Sequence, residues 1–219
     1  HVYVEGGQLK RFTAYTALPA SGGDSTILYQ ADAGKTLTGN VETRGLMIRN
    51  DAANTTVNMG PYDLRLADGS IGFRATNNRL HTVQSTGGKL IFGKNEVVVF
   101  AAGQGSSVLT ISAPITSDAV GPYHMIIPVA AAIGRIALTG EDNIHDYVNL
   151  TVPPTTTLEL GGPSDRTFSG KITGQMKLIK SGSGTLRITG TDYRGGGSMT
   201  VTEGRLKIGS TNPLRVVSW

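Results

Sequence analysis

GKITGQMKLIKSGSGTLRITGTDYRGGGSMTVTEGRLKIG, residues 170–209, is where the chain declares its fold. Four short runs alternate apolar and polar residues, and glycine-rich turns alone join them. Met176 and Leu178, Leu186 and Ile188, Met199 and Val201, and Leu206 and Ile208 each stand two apart, the spacing that puts both side chains on one face of a strand. Between them lie Gly182, Gly184, Gly190, Gly195 to Gly197 and Gly204, at places where a sharp turn favours positive φ. Leu186 and Ile188 are therefore expected to point inward and Arg187 outward, since a slip of one residue would bury the guanidinium.

Working outward, Gly134 to Asp142 (GRIALTGED) resembles Gly184 to Asp192 (GTLRITGTD) in the glycine, the alternating apolar pair, the Thr-Gly and the Asp. Thr151-Val152 then answers Thr200-Val201, and Leu158 to Gly161 answers Leu206 to Gly209. The reading is a degenerate repeat at about 109–161 and 167–209, with Leu138 and Ile188, and Gly140 and Gly190, in equivalent positions. From Val41 onward short β-prone runs such as Leu46-Met47-Ile48, Leu64-Arg65-Leu66, Leu90-Ile91-Phe92 and Val108 to Ile111 alternate with turn signals such as Asp68-Gly69 and Gly87-Gly88. That spacing leaves no room for crossover helices, which excludes a doubly wound α/β fold. A long translational repeat argues against a β-sandwich. The chain divides into an irregular β-rich lead-in over residues 1–40 and one continuous β-solenoid over 41–219.

The order Leu178, Lys180, Gly182, Gly184, Thr185, Leu186, Thr189, Gly190, Tyr193, Gly195, Val201, Gly204 and Leu206 resembles the autotransporter-associated β-strand repeat (passenger-associated transport repeat) of bacterial passenger domains. It departs from that pattern at Asp192, where Asn is usual, and at Gly197-Ser198, where Thr is common. The resemblance implies an all-β, right-handed parallel β-helix, secreted and displayed on the bacterial surface. It implies no catalytic residue, because the motif contains none.

Composition sets further bounds. The 219 residues are 38% hydrophobic, enough for a real core, while aromatics make up only 6% and charged residues 16%. No cysteine is present, which excludes disulfides, thiolate metal sites and thiol catalysis. The longest apolar run, Met125 to Ile133, contains a proline and is about half the length a bilayer span needs. The chain starts at His1 with no signal-peptide pattern and reads as a mature product or an excised segment. Charge is uneven: ten Lys/Arg against seven Asp/Glu in residues 1–94, one against six in 95–164, and nine against three in 165–219. In a solenoid this predicts an acidic belt between two basic ends.

Chemical motifs are few. Glu141 to Asp146 (EDNIHD) is the one dense polar run, able in principle to supply carboxylate and imidazole groups, but it falls in a loop and reads as a solvated turn. Lys177, Arg187, Glu159 and Lys207 are expected as lone outward charges rather than a carboxylate cluster. Ala33-Gly34-Lys35-Thr36 ends like a phosphate-binding loop, but Tyr29 replaces its first glycine. No G-x-S-x-G elbow exists, and basic residues lack the interleaved aromatics of a nucleic-acid platform.

The expectation is an extracellular, non-enzymatic structural or adhesive solenoid, part of a surface stalk, fibre or filament, with no catalytic, cofactor or metal residues. The alternative is a glycan-binding or glycan-cleaving β-helix protein. Expected partners are flanking repeats of a longer chain or identical subunits joined head to tail through the apolar stretch Asn212 to Trp219, with surface glycans in the alternative, no nucleic acid and no membrane span.

Overall fold

The computed structural model describes residues 2–5, 8–11, 15–75, 78–103, 106–118, 124–127, 135–140, 149–152, 156–174, 176–190, 193–195 and 197–209. The fold is a β-solenoid: parallel strands stack into long ladders, and no helix occurs among the described residues. A separate antiparallel hairpin joins Val2–Glu5 to Gln8–Arg11.

The described strands fall into three stacked positions of the circuit. In the first, nine strands stack from Thr16–Ala17 through Val41–Arg49, Leu64–Ala75 and Glu96–Gly103 to Tyr193–Gly195. Eight stack in the second, from Lys35–Thr36 through Leu80–Gln84, Arg135–Leu138 and Thr157–Leu160 to Met199–Val201. The third is formed toward the N-terminus by the leading halves of Gly22–Ala31, Val41–Arg49 and Leu64–Ala75, followed by Leu90–Phe92 and Ile115–Ser117. Arg166–Phe168, Thr185–Ile188 and Arg205–Ile208 hold the same place in the circuit toward the C-terminus. Ladder pairing begins at Thr16, upstream of Val41, so part of the segment read as lead-in is already stacked in register.

The core follows from the two-residue alternation. Leu186 and Ile188 are 3% and 1% exposed and Arg187 is exposed, as expected. Met176 and Leu178 are buried as well, while Met199, Leu206 and Ile208 in the last described strands are half-buried and Val201 is 48% exposed. Phe73, Phe92 and Phe168 are fully buried. The buried apolar side chains form one continuous cluster from Leu18 to Ile188, so burial, not any single tight contact, carries the stability.

One sequence expectation is corrected. Leu138 stacks between Ile111 and Leu160 in the second ladder, whereas Ile188 stacks between Phe168 and Ile208 in the third. The two resembling segments therefore lie on different faces and are not translational copies. The true vertical step near the C-terminus is shorter: Leu158 lies opposite Leu178, and Leu186 opposite Leu206, each twenty residues on. The likeness arises because every face solves the same problem, an apolar pair spaced by two and a glycine at the corner.

Candidate functional site

Two inward-facing ionisable side chains stand out against the apolar core. His81 is fully buried in the inward column of the second ladder, between Thr55 and Leu109. Its Nδ1 accepts the Thr55 N–H at 3.1 Å, and its ring meets Phe73 edge-on at 4.9 Å between centroids. With Nδ1 accepting, the neutral ring carries its proton on Nε2. Burial pushes His81 below the ordinary histidine value; the Arg74 backbone and Asp51 pull the other way, and Arg79 adds to the lowering.

Lys180 is the second, 3% exposed, at the inward position opposite Leu160 and Val201. Its Nζ donates to the carbonyls of Ser181 at 2.7 Å and Gly182 at 2.6 Å on its own corner, and of Glu203 at 3.2 Å on the next. The ammonium thus ties two successive corners together using all three donors. Burial lowers its pKa, with Glu203 opposing and Arg166 reinforcing. Beside it, Leu160, Gly161, Gly162, Ser164, Arg166 and Thr185 line a cavity of about 10 Å³, room for one water at most. Both residues were open to the alternation rule: Lys180 follows Leu178 by two, and His81 precedes Val83 by two. Their polar identity hid an inward placement that their spacing states.

Outward, the third face carries charge along its length. Toward the N-terminus Arg65 Nε donates to Asp118 Oδ2 at 2.6 Å and its Nη1 to Glu42, while Arg44 Nε meets Asp68 Oδ2 at 2.5 Å. Hydrogen bonding to Asp118 holds Arg65 above its usual value. Each of these carboxylates is thus paired with a guanidinium. Toward the C-terminus Arg187 and Lys207 are exposed on this face and Lys177 is exposed on the second ladder, as expected.

Glu159 departs from expectation: it is only 9% exposed. Its outward position lies opposite the small Ala137, so its carboxylate settles against the ladder, 2.9 Å from Arg135 Nη1 and accepting from Ser181 Oγ. Glu141 to Asp146 lie outside the described residues, as does Asn212 to Trp219. Among the described residues, then, the exposed carboxylates of the proposed acidic belt are Glu96 and Asp118. No group of three or more His, Asp or Glu that could hold a metal ion occurs among the described residues, and no described helix is long and apolar enough to cross a membrane.

No family model, curated protein or solved structure matches the chain. The likeness to the autotransporter-associated repeat accordingly rests on the residues quoted above and on the solenoid they form.

Proposed function

We propose that the chain is a structural or adhesive element of a bacterial surface, a rigid segment of a stalk, fibre or filament, and not an enzyme. The observation that carries this reading is the ladder of nine parallel strands, stacked over one continuous apolar core from Tyr29 to Ile172. Eight interstrand steps of about 4.8 Å make it roughly 38 Å long. Hydrogen bonds between circuits run along the axis, so extension loads many of them together, which suits a load-bearing spacer. The two buried ionisable groups support the same reading, since Lys180 gives its donors to internal carbonyls and His81 lies fully buried among core residues, with Nδ1 accepting the Thr55 N–H and Nε2 unpartnered in the core. Secretion and surface display follow from the repeat resemblance and belong to this proposal.

Electron microscopy of the protein in its native setting tests it. Thin rods or filaments continuous with the cell surface are the expected result. Discrete globular particles that cleave members of a glycan panel would replace this reading with the enzymatic one.

A further inference from the structure

The third face treats its outward charges differently at its two ends. Toward the N-terminus Glu42 stands opposite Arg65, and Asp118 closes on the same guanidinium, so the row is neutralised. Toward the C-terminus Thr167, Arg187 and Lys207 stand opposite one another in consecutive strands, and Arg205 is two residues from Lys207. Arg187, Arg205 and Lys207 are all exposed, and none of them forms an ion pair among the described residues. Asp165, whose Oδ1 accepts the Thr185 N–H at 2.6 Å, lies in the field of Lys207 and Arg205 and offsets part of their charge without forming an ion pair with either.

Like charges directly opposite in a ladder destabilise it. A chain that neutralises this row at one end and stacks cations at the other accepts a local cost there, and such breaches of a local rule concentrate at functional positions. Arg187 and Lys207 are one interstrand step apart along the axis, about 4.8 Å, and Arg205 flanks Lys207 along its own strand. That geometry fits an extended polyanion laid along the face, with Arg187 and Arg205 able to take carboxylate or sulfate groups in bidentate fashion. The described outward positions of this row hold Thr, Arg and Lys and no aromatic ring, so base stacking has no platform and a nucleic acid is the poorer fit. We propose that the row Arg187, Lys207 and Arg205 is a docking surface for an acidic polysaccharide bearing uronate or sulfate groups. This goes beyond the structural role and does not depend on it.

The test is binding of size-defined polyuronate oligosaccharides to the full chain, measured by calorimetry across a salt series. The R187E/K207E pair is the probe, and K89E/K94E, the same charge change elsewhere, is the control. The expected result is binding that weakens with salt, falls by about tenfold or more in R187E/K207E with a shallower salt dependence, and changes little in the control. The milder R187Q/K207Q pair, matched to wild type by circular dichroism, is expected to lose affinity in the same direction. No polyuronate binding, equal loss in both glutamate pairs, equal binding of neutral dextran, or tighter binding of single-stranded DNA at the same residues would each overturn the proposal.

Discussion

The inward column of the second ladder runs Thr55, His81, Leu109, Ile136, Leu158, Leu178 and Met199, and the chain spends it unevenly. From Thr55 to Ile136 each step takes 26 to 28 residues, and from Ile136 to Met199 only 20 to 22. The two halves share most of their corner devices and differ in one, the buried ammonium of Lys180 in the narrow half. In the wide circuits an amide or carboxylate side chain reaches across: Asn40 Oδ1 accepts the Asp63 N–H at 3.0 Å, Asn54 the Leu80 N–H at 3.0 Å and Asn78 the Ser106 N–H at 2.8 Å. The narrow half does the same where Asp165 Oδ1 accepts the Thr185 N–H at 2.6 Å, and in both halves backbones approach at glycine corners: a Cβ on Gly69, φ +65°, would lie 2.6 Å from the Glu96 carbonyl oxygen. Gly182 has φ +74°, and a Cβ there would lie 2.5 Å from the Gly162 carbonyl. Such corners leave carbonyls turned inward, and the Lys180 ammonium collects them. The narrow half thus keeps the exposed side-chain corner bond and adds a buried cation to it.

The largest expected effect falls in the narrow half. Leu186→Ala removes a 3% exposed side chain stacked on Leu206 and should cost about 2 to 5 kcal/mol in urea unfolding. A cost no larger than that of a surface change would mean the narrow circuits are loosely packed and would break the comparison. Next comes Lys180→Met, which keeps most of the stem and deletes the donors. Three carbonyls lose their shared partner, and the expected cost is about 1.5 to 3 kcal/mol. A neutral or stabilising outcome would show that these corners close without the ammonium.

His81 supplies a pH signature of the wide half. Its folded pKa is depressed, mainly by burial, so the unfolded chain takes up the proton first. The stability linked to neutral His81 is complete above the ordinary histidine value, about 6.5, and is lost as pH falls below it. Urea midpoints should therefore drop on acidification, and His81→Leu should flatten the response. Equal acid sensitivity in the variant would place the titration elsewhere. The smallest effect is expected for Asn54→Ala, which strips one exposed corner bond and should cost about 0.5 to 1.5 kcal/mol.

Where local spacing decides placement, the sequence was readable. Arg187 flanked by Leu186 and Ile188 needs only a strand and an apolar core to set its direction, and the structure agrees. Glu159 obeys the same alternation and is nonetheless covered, because its neighbours in space, Arg135 and Ser181, lie about one circuit away on either side. The corner bonds were hidden for the same reason, since Asn54 and Leu80 are 26 residues apart. The phase of the repeat misled because an apolar pair and a glycine look alike on every face; only the pairing of Leu186 with Leu206 reveals the twenty-residue step. No clustered catalytic motif stood in the chain to guide the search for a site, and the basic row became visible only once register set Arg187 against Lys207.

That register is also the most direct point of test. The chain has no cysteine, so a pair introduced as Arg187→Cys and Lys207→Cys reports on one contact alone. Opposed positions in adjacent strands fall within the Cα separation that a disulfide spans. The account predicts near-complete intramolecular cross-linking on mild oxidation of the folded protein, and little for the pair Arg187→Cys and Ile208→Cys, whose side chains face opposite sides of the sheet. Cross-linking of the second pair in preference to the first would contradict the stacked solenoid and the twenty-residue step that sets Leu186 opposite Leu206.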